Sequence, residues 1–303
     1  MPGVYIHVPF CERKCVYCDF YSIEDHSSFD AFVDAVVAEI GSFAEEARGT
    51  RFGTIFFGGG TPSLLAPNQL AKILDELRKG YSIENDAEVT LEANPGTISA
   101  ESLSAYRSLG INRLSIGVQS FHNDELKFLG RIHNADEARR SVSDARRAGF
   151  SNISIDLILA LPGQTIDKLE ISLAEAVALD PKHISAYTLI VEKGTPLYRL
   201  VQSRQVAPLP SEAEAELYAF SMDYLIDRGF EHYEVSNYAR PGFRSRHNSG
   251  YWDHSPYLGF GPSAHSFWKG KRMGHGHRVG GRRELAAVPE RDARLGRQHE
   301  GQQ

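Results

Sequence analysis

After position 18 the chain has no cysteine at all, which excludes a disulfide framework from 285 of its 303 residues. It has no run of 18 apolar residues, so no membrane-spanning helix is expected. No basic segment leads into a long apolar core at the start, so no signal peptide is read and a cytoplasmic location is expected. It also lacks an excess of positive charge. With 33 Lys and Arg against 39 Asp and Glu, the net charge is -6, and nothing in the balance favours nucleic acid or anionic lipid as a partner. A hydrophobic fraction of 42% with 24% charged residues is ordinary for a folded chain. The length suffices for one large domain and something smaller.

What the sequence does hold is concentrated. Cys11, Cys15 and Cys18 all lie in "YIHVPFCERKCVYCDFYS" (5 to 22). An odd number of thiols in one loop suits a reducing compartment and a metal site. Charge is uneven too. Residues 271–303 carry eight Lys or Arg against four Asp or Glu, six Gly and no aromatic residue, and they show no sustained apolar period. Disorder is expected there, with a short helix over 284–288 as the exception.

Between these ends, short strand-like runs alternate with amphipathic stretches. "VYIHV" (4–8), "TIFF" (54–57), "EVTLE" (88–92), "RLSIG" (113–117), "NISID" (152–156) and "HISAY" (183–187) read as buried strands. Phe29, Phe32, Val33, Val36, Ile40 and Phe43 recur at helical spacing, as do Leu70, Ile73, Leu74 and Leu77 ahead of Gly80. "LGINRLSIG", "AGFSNISID" and "LDPKHISAY" form a weak repeat in which a helix ends and a strand begins. Six such βα units predict a parallel α/β sheet, doubly wound or closed partly or wholly into a barrel. In any of these the functional loops lie at the carboxyl ends of the strands. The cysteine loop, "GGGTPS" (58–63), Glu92, Gln119 and Asp156 would then share one mouth.

Three soft thiolates spaced C-x3-C-x2-C suit zinc or an iron-sulfur cluster. Zinc would take a fourth ligand, with His7, Asp19 and His26 as candidates, and would clip the loop structurally. A 4Fe-4S cube held by three cysteines leaves one iron open to another ligand. "GGGTPS" matches neither phosphate loop, having no Lys-Ser/Thr after its glycines and no G-x-G-x-x-G spacing. It reads as a tight turn or as a place of close backbone approach.

The cysteine spacing just after the first strand resembles the radical S-adenosylmethionine (SAM) enzymes. That resemblance implies a partial (β/α)6 TIM-like barrel, a cluster on Cys11, Cys15 and Cys18, and SAM chelated through its amino and carboxylate groups. It also implies cleavage of the sulfonium by a cluster electron, giving a 5'-deoxyadenosyl radical. "YIHVPFCERKCVYCDF", "GGGTPS", "LEANP", "SIGVQSF", "LGRIHN" and "IDLILALPGQT", in this order, are similar to the oxygen-independent coproporphyrinogen III oxidase family over about residues 4 to 270. By that likeness Tyr5, Gly60, Thr61, Pro62, Glu92, Gln119, Arg131 and Asp156 contact SAM.

Two branches of the family separate here. The oxidase has a further cysteine two places after the third, where this chain has Phe20, and a long segment before the first strand. "YEVSNYARPGFRSRHNSGYW" (233–252), with H-N-x-x-Y-W at His247, Asn248, Tyr251 and Trp252, and "GFGPSAHSF" (259–267) resemble the haem chaperone branch, the HemW type. This branch implies haem as cargo, haem-accepting respiratory proteins and an electron donor for the cluster as partners, and peripheral membrane association only through an acceptor. His247 is the first candidate haem ligand, with His254 and His265 behind it. The aromatic residues of this stretch may equally pack a small domain. The expected function is a haem chaperone. Coproporphyrinogen decarboxylation and a zinc-clipped binding protein are the alternatives. The expected division is a core over 1–205, an aromatic-rich extension over 206–273 that begins the family's C-terminal region, and a basic tail over 274–303. The family likeness stops near Met273, and the rest of its C-terminal domain is expected to be missing.

Overall fold

The computed structural model describes residues 1–276 and the backbone of Ala286–Ala287. The six expected strands all form: β1 (Gly3–Val8), β2 (Arg51–Gly59), β3 (Ser82–Ala93), β4 (Arg113–Gln119), β5 (Asn152–Leu159) and β6 (His183–Thr188). They lie side by side in chain order and all run parallel. Right-handed crossovers that always advance in one direction leave every connecting helix on the same face. The opposite face becomes an interior.

The helices form because each has one apolar stripe and a start signal. In α1 (Phe29–Phe43) Phe32, Val33, Val36, Ile40 and Phe43 are buried, and in α2 (Pro67–Gly80) Leu70, Ile73, Leu74 and Leu77 are buried. α3 (Ala100–Ser108), α4 (Asn123–Leu129), α5 (Ala135–Arg147) and α6 (Ile166–Ala178) follow. Asn134 caps α5 by accepting the Glu137 N–H at 3.0 Å while the Glu137 carboxylate accepts the Asn134 N–H at 2.8 Å. Against these helices β1 places Val4, Ile6 and Val8, all fully buried. The alternate residues Tyr5 and His7 turn inward.

Residues 206–273 extend both edges of the same sheet. After α7 (Pro196–Gln202), α8 (Ser211–Asp227) packs on α6, β5 and β6. β7 (Glu231–His232) and β8 (Asn237–Ala239) add antiparallel strands beside β6. α9 (Arg246–Trp252) then crosses the interior near the amino ends of β1 to β3. β9 (Tyr257–Phe260) lies parallel to the outer edge of β1, and β10 (His265–Trp268) and β11 (Lys271–Gly274) continue antiparallel. The sheet is therefore an open arc rather than a closed barrel. The tail expectations fall on residues outside those described, apart from Gly274–Gly276 and Ala286–Ala287. The last two pair with Gly274 and Met273 as β12, not as part of a helix over 284–288. Among the described residues no helix is long and apolar enough to cross a membrane.

Candidate functional site

The interior holds a cavity of about 600 Å³ that runs from the carboxyl ends of the strands, its mouth, toward α9 at its floor. Ligand pockets of this size are typical of small-molecule and cofactor sites. Cys11, Cys15 and Cys18 line the mouth together. Their loop is tied down on both sides: Cys11 N–H donates to Ile23 carbonyl at 3.0 Å, and Val16 N–H to Leu129 carbonyl at 3.3 Å. The thiols sit among donors. Thr61 Oγ1 lies 3.7 Å from Cys11 Sγ, and Arg131 Nη1 lies 3.4 Å from Cys15 Sγ. Burial pushes the Cys11 thiol up and the Cys18 thiol up to about 11. A cation bound at the loop is what would hold them as thiolates at neutral pH.

The two metal readings ask for different donor geometry. Zinc needs its ligands around one point, whereas a cube spreads three thiolates over three irons. Among the described residues no three His, Cys, Asp or Glu side chains stand close enough together to hold a single metal ion. His7 Nε2 is 3.0 Å from the Tyr21 carbonyl and its Nδ1 is 3.1 Å from Tyr5 Oη, and His26 Nε2 is 3.2 Å from the Cys11 carbonyl. Both ring nitrogens of His7 are thus engaged, and one of His26. Three soft sulfurs on one loop beside a guanidinium fit an iron-sulfur cluster.

Seven of the eight residues implied as SAM contacts line this cavity: Tyr5, Gly60, Thr61, Glu92, Gln119, Arg131 and Asp156. Pro62 does not line it. It is buried at the start of a one-turn helix over Pro62–Leu64, where its fixed φ suits the first position. Backbone hydrogen bonds hold the glycine strand against the cysteine loop, with Gly60 N–H on Val8 carbonyl at 2.8 Å and Thr61 N–H on Phe10 carbonyl at 2.7 Å. These two donors are already used, so the strand shapes the site rather than presenting free N–H groups. Gln119 has φ +69 without being glycine, a strained conformation of the kind that collects at functional sites. Arg131 Nη2 donates to Gly117 carbonyl at 2.8 Å while its buried Nε has no partner. That orphan donor is available to a ligand carboxylate.

Two part-buried carboxyls line the interior, Glu92 on β3 and Asp156 on β5. Asp156 accepts both contacts of Ser115 Oγ at 3.0 Å, and Glu92 accepts the Gly59 N–H at 3.1 Å. Burial raises the Asp156 pKa, and burial together with the Asp156 charge raises that of Glu92 to about 8. The ligand-free protein therefore binds a proton at Glu92 that the unfolded chain, near 4.5, has released. Stability from this group is full below 4.5 and is lost as pH rises through about 8. Thermal melting of wild type and Glu92→Gln over that window is expected to show the loss only in wild type. Parallel curves would disprove it.

At the floor, His247 is 5% exposed and stacks on Phe56 at 5.0 Å. Its Nδ1 is 2.8 Å from Thr54 Oγ1 and its Nε2 is 2.9 Å from Tyr251 Oη. Burial, and second the Arg113 charge, push its pKa down to about 3. The geometry makes this histidine a neutral strut between α9 and β2. Gly3 permits the approach, since a Cβ there would lie 2.6 Å from Thr54 Oγ1 and 3.0 Å from His247 Nδ1. His254 and His265 are absent from the cavity wall. Sequence reasoning missed Arg113, His183, Ser115 and Ser185, which line it deeper in. Their signal was present: they occupy alternate positions within apolar strands.

An open parallel (β/α)6 arc with three cysteines over a central cavity defines a radical SAM protein, and the Radical SAM superfamily matches residues 5–176. Coproporphyrinogen III oxidase (HemN) from Escherichia coli has the same fold, with a TM-score of 0.79 at 24% identity over 92% of this chain and 67% of that one. Heme chaperone HemW of Bacillus subtilis (strain 168) is 42% identical over 275 residues, 90% of this chain and 72% of its own. Heme chaperone HemW of Escherichia coli (strain K12) is 38% identical over 265 residues, 87% of this chain and 69% of its own. The chain belongs to the HemW family of the radical SAM superfamily.

Proposed function

We propose that this protein is a haem chaperone that binds a 4Fe-4S cluster through Cys11, Cys15 and Cys18, binds SAM in the cavity beneath, and passes haem to acceptor proteins. The observation that carries the cofactor part is the convergence of three thiols and seven implied SAM contacts on one cavity wall. When bound, the cluster supplies one electron and an open iron for the SAM amino and carboxylate groups. The chain's own residues do the rest. Arg131 offers its unpaired Nε to the carboxylate, and Gln119 and Asp156 offer acceptors for ribose hydroxyls. Glu92, whose pKa burial and the Asp156 charge raise to about 8, would give up its proton to a cationic ligand held in this cavity.

The haem part is supported by the family. It is also supported by Phe20, 60% exposed on the cavity rim where the oxidase-type pattern has a cysteine. Haem-accepting respiratory proteins and an electron donor complete the proposed partners, in the cytoplasm, with membrane contact only through an acceptor. Anaerobic reconstitution followed by haem titration in the Soret band and transfer to an apo b-type cytochrome tests this. Haem uptake and transfer are expected. Decarboxylation of coproporphyrinogen to protoporphyrinogen under the same conditions would overturn it.

We further propose that the haem iron takes its ligand elsewhere than His247. His247→Ala leaves the Thr54 and Tyr251 hydroxyls without a partner and is expected to cost about 1–3 kcal/mol of stability. The Soret maximum of the haem-loaded protein is expected to stay where it is; a shift would restore His247 as the ligand.

A further inference from the structure

The deep part of the cavity contains a cation that no carboxylate among the described residues contacts directly. Arg113 opens β4, is 2% exposed, and lines the cavity. Its Nε is buried without a hydrogen-bond partner, and it is held only through space by the charges of Glu92 and Asp156, which line the same cavity. The carboxylates of the interior are committed to other donors. Glu88 accepts the Arg246 and His247 N–H groups, both at 3.1 Å; Glu92 accepts the Gly59 N–H; and Asp156 takes the Ser115 and Ser154 hydroxyls. Asn248 stands on the same wall, where its side-chain amide also reaches the Tyr233 hydroxyl. Burying a charge without a partner is costly, and a fold retains such a group at a site where a ligand completes it.

We propose that Arg113, with Asn248 beside it, forms a second ligand subsite at the floor of the cavity that takes a carboxylate. The subsite is separate from the mouth. Gly117, whose carbonyl holds Arg131, lies four residues further along β4, about 13 Å at ~3.3 Å per residue. A planar guanidinium presents two parallel donors that match a carboxylate, and one cation with one amide neutralises one negative charge. A phosphate dianion would need more. Burial first and the Arg113 charge second push His183 and His247 down, so both imidazoles stay neutral and leave the guanidinium as the local cation.

The carboxylate has two sources, a free small carboxylic acid or a propionate arm of a tetrapyrrole, and the second rests on the haem reading. Two arms separate them. In the first, sodium propionate is titrated against thermal melting at constant ionic strength, with wild type, Arg113→Met and Arg113→Lys. In the second, haem and haem dimethyl ester are titrated against the same proteins. Arg113→Met keeps the apolar stem of the side chain and is expected to melt cooperatively without ligand, and Arg113→Lys, which keeps the charge near Glu92 and Asp156, controls for any loss of stability. A free-acid site gives a saturable rise in melting temperature for wild type that Arg113→Met loses and Arg113→Lys keeps in part. A propionate site makes wild type prefer haem over its ester by roughly 10- to 100-fold, a preference that Arg113→Met abolishes. Either result supports the subsite. Propionate responses that are equal or absent in wild type and Arg113→Met, with no preference for haem over its ester, overturn it. If haem fails to bind at all, the chaperone reading falls, and the propionate arm alone decides the subsite.

Discussion

Cys15→Ser protein, reconstituted anaerobically with iron and sulfide, is expected to retain background iron only, while wild type retains about four irons per chain. Cys15 is the most buried of the three cysteines, next to the Arg131 guanidinium. Its neighbours are fixed, since Val16 donates to Leu129 carbonyl and Leu197 donates to Val16 carbonyl at 2.8 Å. The loop therefore cannot swing another side chain into its place. A serine hydroxyl is hard and stays protonated, whereas iron in a sulfide cube needs a soft thiolate. With Cys11 and Cys18 left, two attachment points cannot hold the cube against loss of iron. The variant should still melt cooperatively near wild type, because Ser occupies slightly less volume than Cys. Iron and sulfide analysis with the visible charge-transfer absorption is the readout. Retention of a full complement of iron, or tight zinc in wild type in place of iron, would refute the assignment.

Gly60→Ala is expected to lower stability by about 1–3 kcal/mol, the usual cost of forcing an extra carbon into a packed place. It is also expected to abolish the spectral response of the reconstituted cluster to SAM. A Cβ at Gly60 would lie 2.6 Å from the Phe10 carbonyl oxygen and 3.0 Å from its nitrogen. Both are backbone atoms, so no side-chain rotation can relieve the contact. Phe10 is fully buried and its ring packs on Phe29 at 4.4 Å and Phe32 at 5.3 Å, so the strain passes to the following residue, Cys11. Gly276→Ala, with nothing within 4 Å of the added carbon, serves as a control and should leave both readouts unchanged. Chemical denaturation gives the first number, and absorption or electron paramagnetic resonance with and without SAM gives the second. A Gly60→Ala protein with normal SAM response would show that the loop and the glycine strand are not mechanically coupled.

Much of this fold was readable in order. All six parallel strands lie on the β-rich runs, and α1 and α2 occupy the stretches with helical apolar spacing. Local periodicity suffices for such elements because a helix and a strand each need one continuous apolar face. The extension was less legible. β7, β8 and α9 are short, two to seven residues, and their positions come from pairing with β6 and packing on β2. The aromatic side chains of 233–252 were compatible with a cargo surface or with packing. Tyr251 and Phe56 packed around His247 show that some of them build the floor.

The sequence by itself determined which residues sit together on the cysteine loop, the order of the βα units and the family. Each of these depends on neighbours along the chain or on motifs in linear order. Only the tertiary structure decided which side of the sheet is interior. Arg113, Ser115, Asp156 and His183 gain meaning as a wall when strands pair in register, Asp156 against Ser185 and Arg113 against Asn152. Likewise, His247 became a strut because α9 returns across β1 and β2 from nearly 200 residues away, His247 and its partner Thr54 being 193 positions apart. Strand periodicity fixes that alternate side chains part company, but curvature and register, which are properties of the assembled sheet, choose where each set goes.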